Sequence, residues 1–197
     1  VLKNAAHKIK YRGPDNTREL RVNDDLFFSF HRLAIVGLSA EGDQPLRHPN
    51  HPQTVLVCNG EIYNYLELIA ENNFKVKSDS DCEIILHLYH KYGIEKTVKM
   101  LDGVFAFCLY DGEKNILFAA RDSYGVRPAF FGTTKSGGVS VASEAKALID
   151  FADAIVPFPP GAWWASSSPN AFIPYKKNFS DDLVEIEEEK VLSTVRD

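Results

Sequence analysis

The stretch VFAFCLYDGEKNILFAAR, residues 104–121, limits the fold more than any other part of the chain. Val104 to Tyr110 and Ile116 to Arg121 are short apolar runs, and Asp111-Gly112-Glu113-Lys114-Asn115 between them is turn-forming, so the segment predicts a β-hairpin. A strand with one wet face alternates apolar and polar residues. A run as continuous as Val104 to Tyr110 instead predicts a sheet covered on both faces. The chain must therefore supply a further layer on each side of that sheet.

Other segments supply those layers. Leu2, Ala5, Ala6 and Ile9 are spaced as one helical face, and Arg12-Gly13-Pro14-Asp15 ends it. Leu26 to His31 and Val55 to Cys58 read as strands, separated by a Gly- and Pro-punctuated loop over 37–52. Asn59-Gly60 is a tight-turn signal, although Glu61-Ile62-Tyr63-Asn64-Tyr65 leads into a helix rather than a return strand. That helix follows Asn64 with Leu66, Ile69 and Ala70 on its apolar face. Ser80-Asp81-Cys82-Glu83 matches a capping box for a helix that ends at Gly93, and Ile94, Val98 and Leu101 mark a shorter one. Ala129–Phe131 and Val139–Ser143 predict a second hairpin, Glu144–Phe151 a helix, and Pro157, Pro159 and Pro160 an irregular passage. Trp163–Ala165 and Phe172–Tyr175 read as late edge strands. Hairpins interleaved with helices give an α+β domain of mostly antiparallel sheets.

Composition narrows the function classes. A length of 197 residues suits one domain, and 45% hydrophobic residues are too many for a disordered chain. A net charge of -5 argues against nucleic acid as a partner, and no apolar run is long enough to span a membrane. Cys58, Cys82 and Cys108 are odd in number and widely spaced, which suggests neither a metal site nor a disulfide framework and fits a reducing, cytoplasmic setting. Cys58 and Cys108 lie in apolar strands as small buried hydrophobes. The acidic run Glu185, Glu187, Glu188 and Glu189 reads as a solvated face or linker.

Four polar clusters fall at predicted strand ends or helix starts: Arg12-Gly13-Pro14-Asp15, His31-Arg32-Leu33, Asn59-Gly60-Glu61 and Ser80-Asp81. Each alone has a plain explanation as a turn, a surface ion pair or a helix cap. Together they offer what an α-amino acid needs. An arginine grips a carboxylate with two parallel hydrogen bonds, and acidic groups receive an ammonium. An Asn amide beside a Gly backbone N–H makes an oxyanion hole, which suits acyl transfer on an amino-acid side chain.

The segments RGPD, FHRLAIV, GDQPL, CNGEIYN, SDSDCEIILHLYHKYG, LDGVFAFCLYD, ARDSYGVRPAFFG and SEAKAL occur in the order found in the glutaminase domain of glutamine-hydrolysing asparagine synthetases. The sequence thus resembles the class II glutamine amidotransferases from about Leu2 to Trp164. The resemblance implies a four-layer αββα N-terminal-nucleophile hydrolase sandwich of two mostly antiparallel sheets. It implies that Arg32 binds the glutamine α-carboxylate, with backbone near Leu33, Ile35 and Val36 lining the pocket. Asn59 and Gly60 would form the oxyanion hole, and Glu61 and Asp81 would hold the α-ammonium group. Arg121 and Asp122 would brace the sheet and the ammonia path, and Glu144 and Lys146 would serve an interdomain surface or simply start a helix. In the family mechanism an N-terminal cysteine, with its own α-amine as base, attacks the side-chain amide. Ammonia leaves, and water then releases glutamate from the thioester.

Two departures accompany the resemblance. The sequence begins at Val1, inside the family's first helix, without the expected Cys-Gly-Ile opening, and Gly37 stands where the family has Asp. The 197 residues as written would thus be inactive as a glutaminase. Retention of Arg32, Asn59, Glu61 and Asp81 together favours an active enzyme whose nucleophile-bearing residues precede Val1. The alternatives are a nucleophile-free relative acting as a non-catalytic binding or scaffold module, or the glutaminase-like half of a β-lactam-synthetase-type cyclase. The expected organisation is a glutaminase-type domain over 1–175 and an acidic linker over 176–197. The linker would lead to a C-terminal synthetase domain, the place for ATP and Mg2+. No cofactor or metal is expected in the glutaminase domain itself, and homodimerisation is left open.

Overall fold

The computed structural model describes residues 1–33 and 43–176. Its centre is a six-stranded antiparallel sheet. The strands are β3 (Leu46–Arg47), β4 (Thr54–Ile62), β5 (Gly103–Asp111), β6 (Ile116–Arg121), β10 (Ala162–Ala165) and β11 (Ile173–Pro174), and they lie side by side in the order β11-β10-β6-β5-β4-β3. The 111–115 hairpin sets the β5–β6 register, in which Asp111 lies opposite Ile116 and Ala106 opposite Arg121. β4 runs beside β5 over its full length, with Thr54 opposite Asp111 and Ile62 opposite Gly103.

Side chains on a strand alternate between faces, and here both faces are dry. Leu56, Cys58 and Ile62 of β4, Phe105, Phe107 and Leu109 of β5, and Phe118 and Ala120 of β6 form one core. They pack against α2 (Tyr65–Asn72), α3 (Glu83–Tyr92) and α4 (Ile94–Met100). Val55, Cys108, Tyr110, Ala119 and Trp164 belong to the opposite core. That core is closed by two smaller sheets, β1 (Asn16–Arg21) with β2 (Phe27–Arg32), and β7 (Phe130–Thr133) between β8 (Val139–Ala142) and β9 (Ala154–Pro157). The helix α1 (Leu2–His7) touches β2 and the 3-10 turn Ala145–Ala147. The layers run helix, sheet, sheet, helix, as the doubly apolar β5 requires.

Several sequence expectations need correction. Asn59-Gly60 forms neither a turn nor a strand end, because β4 continues through it to Ile62. Ser80 and Glu83 do not make a capping box: Cys82 is the N-cap, without a side-chain cap bond. The Glu83 carboxylate instead reaches back to the amides of Lys77 and Ser78, at 2.8 and 2.6 Å, and to the Ser78 hydroxyl at 2.5 Å. Glu144–Phe151 carries only the short 3-10 turn, and the Pro-rich passage contains β9 at its start. β10 lies inside the sheet rather than at its edge. β1, with its polar sequence NTRELR, and the two-residue β3 were not anticipated. The acidic stretch at 185–189 and nearly all of the expected linker lie outside the described residues. No helix among the described residues is long and apolar enough to cross a membrane.

Candidate active site

A cleft of about 530 Å³ opens between the central sheet and the two smaller sheets. Arg32, Leu33, Asn59, Gly60, Glu61 and Asp81 all line it, although they come from three separate parts of the chain. Ile35, Val36 and Gly37 lie outside the described residues.

The alternation of β4 explains how the strand serves the cleft. Asn59 and Glu61 share the parity of Val55, whose side chain belongs to the core between the sheets, so both stand on the cleft face. Gly60 has the opposite parity. A Cβ there would lie 2.3 Å from the Val104 carbonyl oxygen and 2.6 Å from Phe105 Cα, so β5 excludes any side chain at this position. Backbone hydrogen bonds alternate in the same way along an antiparallel strand. Cys58 exchanges both of its backbone bonds with the Gln44 side chain, at 2.5 and 2.9 Å, and the Ile62 amide donates to Asp81 Oδ2 at 2.6 Å. By that alternation the Gly60 amide also faces away from β5, toward the edge that Gln44 and Asp81 flank. An Asn side-chain amide and a strand-edge N–H one residue apart are a pair of donors suited to a developing oxyanion.

Arg32 ends β2. Behind it Gly13 packs so closely that a Cβ would sit 2.1 Å from the His31 carbonyl oxygen, and the Asp15 amide donates to the Arg32 carbonyl at 3.1 Å. The RGPD segment thus buttresses the backbone that carries Arg32. His31 is structural: its ring bridges Thr17 Oγ1 at 2.9 Å and the Ala6 carbonyl at 2.8 Å. The Arg32 guanidinium donates to the buried Asp43, whose other oxygen accepts from Arg18 at 2.8 Å and Asn16 at 2.9 Å. Asp43 and Gln44 are site-building residues that sequence reasoning missed. Their signal was the pair of polar residues inside GDQPL, just ahead of a proline.

Other motif residues are braces. Arg121 donates to the carbonyls of Gly125, Arg127 and Phe158, each at 2.7 Å. The buried Asp122 accepts from the amides of Tyr124, Val126 and Arg127, each at 3.0 Å. Glu144 accepts from the Tyr11 hydroxyl and from Arg12 at 3.1 Å and pairs with Lys146 at 3.2 Å, tying SEAK to RGPD.

The three cysteines are free and buried. Cys58 and Cys82 border the cleft, as Cys108 does, but their side chains belong to the helix-side core, each only 2% exposed. Contact with Cys58, together with burial, pushes the Cys82 thiol up, and burial pushes Cys108 up to about 12. Cys82 and Cys108 therefore stay protonated near neutral pH, whereas the thiolate is the nucleophile.

Residues 1–158 match the family model of the glutamine amidotransferase domain, and the chain belongs to that family. Its fold is the αββα sandwich of the N-terminal-nucleophile class II amidotransferases. The glutamine-hydrolysing asparagine synthetases of Bos taurus and Homo sapiens are 47% and 46% identical to it over 156 residues. Those matches cover 78% of this chain and 28% of each relative, so the chain corresponds to under a third of their length. Among solved structures, the glutamine phosphoribosylpyrophosphate amidotransferase from B. subtilis, complexed with ADP and GMP, superposes with a TM-score of 0.63 at 24% identity. That likeness covers 76% of this chain and 35% of the other and speaks to the fold alone.

Proposed function

We propose that this chain is the glutaminase half of an asparagine synthetase, hydrolysing glutamine to glutamate and ammonia for ATP-dependent amidation of aspartate. The observation that carries this reading is the convergence of Arg32, Asn59, Gly60, Glu61 and Asp81 on one cleft. In it, Arg32 grips the α-carboxylate, with Leu33 alongside. Glu61 and Asp81 take the ammonium, which points the side-chain amide at Asn59 and Gly60. Asp43 holds the guanidinium in place for that grip. The attacking thiol is carried by a residue other than the three buried cysteines, on an N-terminal segment entering the cleft. Thiolate attack on the amide carbon forms a C–S bond and a tetrahedral oxyanion. The protonated α-amine returns its proton to the leaving nitrogen, ammonia departs, and water cleaves the thioester to give glutamate and free thiol. Aspartate, ATP and Mg2+ belong to a synthetase domain of the same protein, in a reducing cytoplasmic setting.

Calorimetric titration of the chain with glutamine tests the binding half. Arg32→Ala should weaken affinity roughly 10- to 100-fold, the scale of a lost charged hydrogen-bond pair. Equal affinity in that variant would place the carboxylate elsewhere. Glutamate release by the full-length protein, abolished by alkylating its N-terminal thiol, tests the chemistry. Glutamine binding with no release would move the reading to a non-catalytic module.

A further inference from the structure

A second cluster of chemistry-bearing side chains lies apart from the cleft. The turn between β3 and β4 carries His48 and His51, and α3 carries His87 and His90. Ring centroids lie 4.9 Å apart for His48–His51, 4.6 Å for His48–His90, 3.9 Å for His51–His90 and 4.6 Å for His48–His87. One ligand nitrogen from each of His48, His51 and His90 lies within 4.8 Å of the other two. His48 is buried at the base, and the other two are partly open to solvent. None of the three lines the cleft.

The hydrogen bonds around the cluster select which nitrogens face inward. Glu113 Oε1 sits 3.3 Å from His51 Nδ1, which leaves His51 Nε2 for a ligand. Thr54 Oγ1 sits 2.8 Å from His90 Nε2, which leaves Nδ1. A carboxylate or hydroxyl behind an imidazole is the arrangement that orients metal-binding histidines. His87 is already held by Glu83 at 3.1 Å and stands behind His48.

We propose that His48, His51 and His90 bind a late first-row divalent cation, zinc foremost, which clips the β3–β4 turn to α3. Three imidazoles are the donors such ions prefer, whereas magnesium and calcium favour oxygen. A fourth position on the solvent side is open to water. Binding requires two adjustments. Ligands about 2.0–2.1 Å from a tetrahedral ion stand roughly 3.3 Å apart, so the nitrogens must close up. His51 and His90 stack with planes only 10° apart, and one ion cannot lie in both planes. One ring must turn, and His51, on a turn flanked by prolines and 39% exposed at its side chain, has the room. His48 Nδ1 accepts from the amides of Asn50 and His51, both at 3.1 Å, and gives up these bonds as the ion binds. The signature of the site is therefore local to those two amides.

The test is titration of the full chain with zinc chloride and with cobalt chloride near neutral pH. Expected are one equivalent of tight zinc, cobalt absorption bands of four-coordinate intensity, and amide NMR shifts concentrated at Asn50 and His51. His51→Asn and His90→Asn should each weaken zinc by well over 100-fold, beyond the roughly 10- to 100-fold that outer-shell changes cost. Both residues are partly exposed, so loss of fold does not confuse the result, while His7→Asn should bind zinc as the unaltered chain does. Zinc affinity unchanged in both His51→Asn and His90→Asn, or magnesium bound as tightly as zinc, would overturn the proposal.

Discussion

Gly60 shows how one residue joins fold to site. Its missing side chain lets β5 lie against β4, and the same backbone places an amide at the strand edge beside Asn59. Gly60→Ala would set a Cβ 2.3 Å from a carbonyl oxygen that belongs to the sheet and cannot move away alone. The variant should lose about 3 kcal/mol, the upper range for overpacking, measured as a lower urea midpoint with an unchanged slope. The sequence pointed to Gly60 for close approach of a substrate, and the fold adds a second demand, close approach of the neighbouring strand. Arg32, Asn59, Glu61 and Asp81 were legible because their chemistry is unusual at strand ends and helix starts. Asp43 and Gln44 were not. Gln44 works by completing the hydrogen bonds of Cys58, and a partner 14 positions away leaves no trace in local pattern.

Among the elements, α3 has a heavily partnered entrance. Burial alone would push the Glu83 carboxyl up, but hydrogen bonds from His87, Ser78 and the Lys77 amide outweigh it and hold the pKa at about 2 against an ordinary 4.5. Its stabilising effect is therefore complete above pH 4.5 and is lost as pH falls toward 2. Thermal unfolding of the chain between pH 5 and pH 2 should show this fall, and Glu83→Gln should be less stable at pH 7 with a flatter acid profile. An equally steep profile in the variant would assign the acid loss to other groups, of which Asp111, also held at about 2, is the nearest candidate. The helix α3 itself was readable from its apolar stripe, but its start was misread. The S-x-x-E spacing is the same whether Glu83 caps the helix three residues back or reaches five back to Ser78, and only the path of residues 77–80 decides. β1 escaped notice because one of its faces is solvent-exposed and its sequence carries four charged or amide residues in six.

For the molecule as a whole, the layered order follows from β5 alone, and the two cores share one sheet. A cavity on either side should be felt by both. Leu109 is fully buried in the helix-side core, and Leu109→Ala should cost about 3 kcal/mol. In a Trp163→Phe background, which removes the tryptophan packed against the helix-side core, unfolding followed by Trp164 fluorescence should shift by the same amount as unfolding followed by helix circular dichroism. Separate transitions would mean that the layers melt independently. The number of layers was therefore legible in the sequence. The division of the second sheet layer into a two-stranded and a three-stranded piece was not, because it depends on pairing by a polar strand and a proline-bounded one.

The alternation along β4 also limits how the gene can vary. Asn59 and Glu61 reach the cleft only because each stands an even number of positions along the strand from Val55. Inserting or deleting a single codon between them and Val55 would turn both toward the helices and present Gly60 in their place. Substitutions along that stretch are matters of degree, whereas a change of length by one would invert the site. Relatives that keep the activity should therefore differ in the composition of this strand and agree in its count.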